Sequence, residues 1–200
     1  THFEANSNAG LYIIPCELVN YNATTLKKII LQYVDLWELE GQFKEWIQNA
    51  ITFCNSLVDR IVPGYPKENL SFYENQLAYK DALLVTAEPF FLWVIEGDER
   101  LKEKLSVDQI NLDVKIVRDL QSYRTQKVRI LNGAHTALVP LSILYGHQTV
   151  SDIFTSSFTK SFLEDAIRNE VAPTLDMDSA SLHQFTEAVF DRFKNPFSKH

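Results

Sequence analysis

The spacing of apolar positions changes several times along the chain. Gly10-Leu11-Tyr12-Ile13-Ile14 is a short unbroken apolar run and predicts a buried strand. After Asn22 the spacing becomes helical: Leu26, Ile29, Ile30, Tyr33, Val34 and Trp37 fall on one face, Thr24 or Thr25 is placed to cap the first turn, and Gly41 ends it. Phe43, Trp46, Ile47, Ala50, Ile51, Cys54, Leu57 and Val58 keep that period and predict a second helix, stopped by Pro63-Gly64-Tyr65-Pro66 and packed on the first as a hairpin. The run from Leu83 to Ile95, and the alternation of Ile110, Leu112, Val114 and Ile116 with Asn111, Asp113 and Lys115, predict a small central sheet. From Val128 onward the helical period returns through Leu138 and Leu141, Ile153 and Phe158, Phe162 and Ile167, and Phe185, Val189 and Phe193. The expected fold class is therefore mainly α (α+β), a helical domain with a small central β piece.

An apolar strand with only a short polar lead needs neighbouring strands for its backbone groups. The sequence opens Thr1-His2-Phe3-Glu4, so the strand at Tyr12 is expected to be the last of a preceding domain, and the chain a fragment of a longer one. Residues 1–20 are read as the end of that domain and residues 21–200 as the helical domain.

Composition narrows the function. With 200 residues and 46% hydrophobic content the chain can bury a substantial core. A net charge of −7, with both signs interspersed, offers no basic stripe to a phosphate backbone, so nucleic acid is not an expected partner. The longest apolar stretch, Ala82 to Ile95, is broken by Glu88-Pro89 and falls short of the roughly 20 residues that span a bilayer. Cys16 and Cys54, far apart and among apolar neighbours, are expected to be buried free thiols in a reducing compartment, which places the protein in the cytoplasm. No G-x-G-x-x-G occurs, and the histidines show no metal-ligand spacing. Asp176-Met177-Asp178 lacks the rest of a calcium loop and is read as a loop before a helix.

The candidate chemistry lies in Lys127-Val128-Arg129-Ile130-Leu131-Asn132-Gly133-Ala134-His135. If a helix starts at Asn132 or Gly133, Asn132 and His135 share its face and Lys127 enters from the preceding turn. Ketone reduction by hydride needs a proton for the new alkoxide, which a partly desolvated lysine supplies. It also needs a dipole on the oxygen, which an asparagine amide supplies. On spacing alone the plainer alternative stays open: Asn-Gly is a turn pair, and a single helical histidine is more often structural.

The segment Lys127–Pro140, KVRILNGAHTALVP, resembles the Lys, Asn and His signature of the polyol-specific long-chain dehydrogenases, a family that includes mannitol dehydrogenases and the uronate reductases. Ile14-Pro15-Cys16-Glu17-Leu18, Leu57–Pro66, Thr86-Ala87-Glu88 and Arg192-Phe193-Lys194-Asn195-Pro196-Phe197 resemble the uronate branch in the same order, so the resemblance covers essentially the whole chain. It implies a nicotinamide-binding domain ahead of Thr1, a helical substrate domain, NAD as cofactor, no metal, and interconversion of D-tagaturonate and D-altronate, with a fructuronate or mannitol enzyme as the nearest alternative and a non-catalytic helical interaction module as the alternative of another class. By itself the fragment is expected to be inactive. Carried over by position, Lys127 is the general acid/base, and Asn132 and His135 polarise and place the reacting oxygen. Leu18 stands where mannitol dehydrogenases carry a polarising Asn, and Ala23 stands where the family has Gly, so a left-handed turn there would be strained. Asp59 and Arg60 are candidate substrate-binding residues, or a plain ion pair at a helix end. Arg192 is the first candidate for a substrate carboxylate, with Arg60 and Arg124 behind it. Glu88, which breaks an apolar run, is read as the buried partner of an arginine.

Overall fold

The computed structural model describes residues 2–77, 79–109 and 111–195. In chain order the first elements are α1 (His2–Ala5), β1 (Tyr12–Ile13), α2 (Asn22–Leu36), α3 (Gly41–Asn49), β2 (Thr52–Phe53) and β3 (Ser56–Asp59). Then come α4 (Leu70–Leu77), β4 (Leu92–Glu96), α5 (Glu99–Leu105), β5 (Val114–Val117) and α6 (Gln121–Gln126). A π-helical turn over Lys127–Asn132 leads into α7 (Gly133–Leu144), followed by α8 (Ser157–Asp165), a second π turn over Ala166–Val171, and α9 (Ser179–Phe193). Helix dominates, as expected, and the sheets are small. The expectations on Ile110, Pro196 and Phe197 lie outside the described residues.

Internal contacts divide the chain into two units, Thr1–Val58 with Leu92–Leu120 and Asp59–Phe91 with Gln121–His200. In the first unit, β1 pairs in parallel with β2 (Tyr12 with Thr52, Ile13 with Phe53), and β3, β4 and β5 form a three-stranded sheet in that order, β4 and β5 parallel. The second helix of the expected hairpin therefore stops at Asn49, and Cys54, Leu57 and Val58 lie in and beside strands. The apolar spacing there fits either structure, and strand pairing decides. Thr52 and Cys54 donate their N–H groups to the carbonyls of Leu11 and Ile13 at 2.8 and 2.9 Å. The approach requires Gly10, since a Cβ there would sit 1.9 Å from the Ala50 carbonyl oxygen. Cys54, Ile95 and Leu101 form the buried centre, with Tyr12, Ile14, Trp93, Val114 and Ile116 packed around it. A second cluster joins Val34 of α2 to Trp46 and Ile47 of α3.

Asn55, not Thr24 or Thr25, caps α2: its Oδ1 accepts from the N–H groups of Ala23 and Thr24, both at 3.1 Å, while its Nδ2 donates to Glu96 at 2.8 Å. The left-handed residue is Tyr21 (φ 50°, ψ 50°), and Ala23 is a fully buried helical residue, so the strain expected at Ala23 falls two positions earlier. Asn22 holds that turn by donating to the carbonyls of Pro15, Glu17 and Ser56. Of the two cysteines, Cys54 is buried and Cys16 is exposed, which corrects the expectation for Cys16.

The second unit has one core. Ile130, Leu131, Ala134 and Leu138 of the π turn and α7 meet Leu163 and Ile167, and Leu182, Val189, Phe190 and Phe193 of α9. Burying each such side chain contributes about 1.5–3 kcal/mol, and together they fix α9 against the π turn. Asp178 is the N-cap of α9, accepting from Ser181 N–H at 2.8 Å, in agreement with the loop reading of that segment.

Candidate active site

In a straight α-helix, residues five apart lie about 140° apart around the axis. Lys127 and Asn132 would then point to different sides. The π turn alters this: the N–H of Gly133 reaches back to the Val128 carbonyl, five residues earlier, and the widened turn carries one more residue per circuit. Lys127 and Asn132 are thereby drawn toward one side, and His135, one α turn after Asn132, joins them. The three residues singled out in the sequence share one face of a continuous helical segment.

Their surroundings differ. Lys127 and His135 are half-buried and Asn132 is exposed. The His135 ring meets the edge of Phe193 of α9, centroids 6.4 Å apart. Burial holds the Lys127 ammonium below the usual lysine range; the Asp59 carboxylate draws it back up and the Arg192 guanidinium pushes it further down. A lysine so placed gives up its proton more readily than a solvated one.

Arg192 is 7% exposed, and its fork is occupied by two carboxylates that are each 3% exposed. Its Nη1 and Nη2 donate to Asp59 at 3.1 and 2.8 Å, and its Nε and Nη2 donate to Glu88 at 3.1 and 2.7 Å. Glu88 also accepts from the Ile61 N–H at 2.6 Å, and the guanidinium lies 4.1 Å from the centre of the Phe90 ring. Burial alone would lower the Arg192 pKa, but the bonds and charges of Asp59 and Glu88 more than offset it and the group is raised. The reading of Glu88 as an arginine's buried partner agrees with this. The reading of Arg192 as the cation for a substrate carboxylate does not, because two negative charges already fill the site and a third would be repelled. Nor do Asp59 and Arg60 form a helix-end pair: Asp59 ends β3 and bonds Arg192, whereas Arg60 is exposed, donates from Nε to the Glu88 carbonyl at 2.9 Å and lies over Phe91. Arg124 is buried on α6.

The Pro63–Pro66 motif forms a turn with Gly64 at φ 103°, bridged to Thr86. It borders a cavity of about 590 Å³ that Tyr65, Lys67, Asn69, Tyr73 and Thr86 help to line. Lys127 is not among its lining residues. Among the described residues no group of three or more His, Cys, Asp or Glu could hold a metal ion, and no helix is long and apolar enough to cross a membrane.

A dinucleotide would need a helix N-terminus open to its pyrophosphate. The parallel β4–α5–β5 unit has the right connectivity, but its turn does not fit. Asp98 caps α5, its carboxylate accepting from Leu101 N–H at 3.2 Å, so a negative side chain already takes one of the N–H groups a phosphate would use. This turn is not a pyrophosphate cradle.

The profile of the mannitol dehydrogenase Rossmann domain matches residues 1–109, and that of the mannitol dehydrogenase C-terminal domain matches residues 119–200. The chain belongs to the mannitol dehydrogenase family. The Rossmann match runs well past Asn20, where that portion was expected to end. Altronate oxidoreductase of Cronobacter sakazakii is 44% identical over 200 residues, and that of Bacillus subtilis 45% over 198. Both cover at least 99% of this chain, and the chain spans 41% of each of them. A crystal structure of D-sorbitol dehydrogenase in substrate-free form superposes with a TM-score of 0.77 at 28% identity, covering 94% of this chain and 38% of that one. Mannitol 2-dehydrogenase of Pseudomonas fluorescens, in a ternary complex with NAD and D-mannitol, shares the fold at a TM-score of 0.67 and 24% identity over 92% of this chain and 37% of its own.

The site the sequence missed is the Asp59–Glu88–Arg192 cluster as a unit. Each member was singled out by itself, Asp59 and Arg192 as candidate substrate-binding residues and Glu88 as the buried partner of an arginine. Nothing in the sequence pairs positions 59, 88 and 192.

Proposed function

We propose that the protein to which this chain belongs is an NAD(H)-dependent oxidoreductase that interconverts D-tagaturonate and D-altronate without a metal, and that Lys127 is its general acid/base. The observation that carries this reading is the identity of 42–45% to altronate oxidoreductases over essentially the whole chain. The nicotinamide supplies or takes the hydride. What this chain's residues contribute is the proton and the placement of the oxygen. In reduction, the Lys127 ammonium gives its proton to the carbonyl oxygen as it becomes a hydroxyl; in oxidation, the neutral amine takes it back. Partial burial, which makes the ammonium a stronger acid than a solvated lysine, supports that role. Asn132, one π turn on, donates its amide N–H to the same oxygen, and His135, braced by Phe193, orients the substrate. Arg60, exposed and anchored through Nε, remains a candidate for the substrate carboxylate.

The test is NADH oxidation by the full-length protein with D-tagaturonate, D-fructuronate and D-fructose in parallel. Preference for tagaturonate is expected. Preference for fructuronate or fructose moves the protein to another branch of the family, and no turnover with any of the three, with NADPH also tried, leaves a helical module without this chemistry. Lys127→Ala in the active protein should lower kcat by about 10²–10⁴-fold with the fold intact.

A further inference from the structure

Between the second π turn and α9 the chain leaves a space that its own side chains do not fill. Helical packing breaks off at the 3-10 turn Ala172–Thr174, where Pro173 removes a backbone donor, and resumes at Ser179. The connection leaves a cavity of about 410 Å³, within the range of roughly 300–1,000 Å³ usual for small-molecule sites. Leu175 and Leu182 from the core, with Met177 and Pro173, make most of its wall apolar, and the small side chains of Ala172 and Ser179 keep it open. Arg168 of the π turn gives it a cation. That guanidinium is braced twice, by an ion pair from Nη1 to the Glu187 carboxylate and by the Phe190 ring, whose centre lies 5.2 Å from its Cζ. Among the described residues no hydrogen bond engages its Nε or Nη2. The same Glu187 oxygen lies 3.8 Å from His183 Nε2, which sets His183 and Arg168 at one edge of the cavity. Thr186, 2% exposed, donates its hydroxyl proton to the Leu182 carbonyl at 2.8 Å, so the side-chain donors left to the cavity are those of Arg168, His183 and Ser179.

We propose that this cavity is a binding site for a small carboxylic acid with an apolar body, aromatic or branched aliphatic, whose carboxylate meets Arg168 and whose body lies on Leu175, Met177 and Leu182. An apolar wall with a cation and donors at one edge is complementary to that shape and charge. Unlike Arg192, whose fork two carboxylates fill, Arg168 faces one, so the pair is neutral and an added carboxylate meets no net negative charge. The brace from Glu187 and Phe190 holds the guanidinium in place before the ligand arrives, which lowers the ordering cost of binding. Met177, unbranched and flexible, adapts the wall to the ligand's outline. A sugar acid does not fit, because its hydroxyl groups would lie against leucine and methionine without partners. The site is separate from the proposed catalytic face, since Lys127, Asn132 and His135 do not line it, and it stands whether or not the proposed reaction does.

The test is a fluorine NMR titration of the full-length protein with para-fluorobenzoate, and with para-fluorobenzamide as its uncharged counterpart. Saturable one-to-one binding of the benzoate is expected, with the benzamide bound about 10-fold more weakly. Arg168→Gln together with Glu187→Gln removes the cation without stranding its carboxylate. That pair should weaken the benzoate about 10-fold and leave the benzamide unchanged. Ala172→Phe fills the cavity from its wall and should abolish binding of both; Met177→Trp does the same from another position and serves if Ala172→Phe does not fold. An excess of gluconate, a carboxylate with a hydroxylated body, should leave the benzoate bound. Wild-type protein that shows no saturable binding up to about 10 mM overturns the proposal. So does benzoate binding that survives in a folded cavity-filling variant, which would place it elsewhere, or displacement by gluconate, which would make the site a general one for anions.

Discussion

Lys127 shows how one side chain's environment becomes a pH dependence. Burial disfavours its charged form in the folded protein, so the folded pKa lies below the unfolded one. Below the folded pKa the fold bears the cost of a partly desolvated ammonium, and that cost is relieved as pH rises through it. In the reaction proposed above, the same titration sets the chemistry. Reduction needs the ammonium and should slow as pH rises through the Lys127 pKa; oxidation needs the amine and should speed up over the same window. Initial rates in both directions from neutral pH upward check this, and Lys127→Met should remove both limbs. The two cysteines give a second, independent readout at this scale. Cys16 is exposed, whereas Cys54 is 2% exposed and its thiol is pushed up by burial, then by Asp98 and Glu96. A thiol reagent at neutral pH should therefore modify one cysteine per chain in the native state and two after denaturation. Residue types and spacing singled out Lys127, Asn132 and His135, and the family resemblance supplied the roles proposed for them. The half-burial of Lys127 was not legible, because it depends on what the fold packs around the π turn.

At the scale of elements, legibility followed the length of the periodic segment. The long helices α2, α7, α8 and α9 lie where the apolar spacing puts them. The stretch from Ile51 to Val58 does not, because a few apolar residues at mixed spacing fit a helix or a strand equally well, and the choice was made by β1, some 40 positions away. Cap residues failed for the same reason. Thr24 and Thr25 are good local caps, yet Asn55 reaches the open end of α2 from β3's approach and also bonds Glu96. Asn55→Ala removes the cap, leaving the Ala23 N–H only Asn22 Oδ1 at 2.9 Å and taking from the Thr24 N–H its Asn55 acceptor. A loss of about 1–3 kcal/mol is expected, measured as a lower urea midpoint at unchanged slope. Thr24→Ala should cost less, since its hydroxyl only shares the Asn55 amide. The π turn was equally hidden: the helical period returns from Val128 and leaves a start at Asn132 or Gly133 open, whereas helical structure runs unbroken from Gln121 to Leu144. The widening, not a helix start, is what gathers the three candidate residues.

At the scale of the molecule, the determining contacts are those that sequence order hides. Arg192 joins Asp59, 133 positions earlier, and Glu88, 104 positions earlier, so a single guanidinium ties the β3 exit, the segment before β4 and the last helix of the second unit. Buried ion clusters are not stabilising in themselves, but removing one partner leaves the others uncompensated. Arg192→Leu abandons two buried carboxylates, and Arg60 does not replace the lost fork, since it is exposed and already bonded to the Glu88 carbonyl. The expected loss is about 3–5 kcal/mol, a large share of the roughly 5–15 kcal/mol that holds an ordinary domain folded. Hydrogen exchange should locate it: amides of Ile61 and of α9, whose protection depends on the cluster, should exchange much faster in Arg192→Leu, and a variant that keeps wild-type protection there would show that the cluster does not hold the unit together. The pair Asp59→Asn with Arg192→Leu should lose less than the sum of the single losses, because the second change removes one of the charges that the first strands.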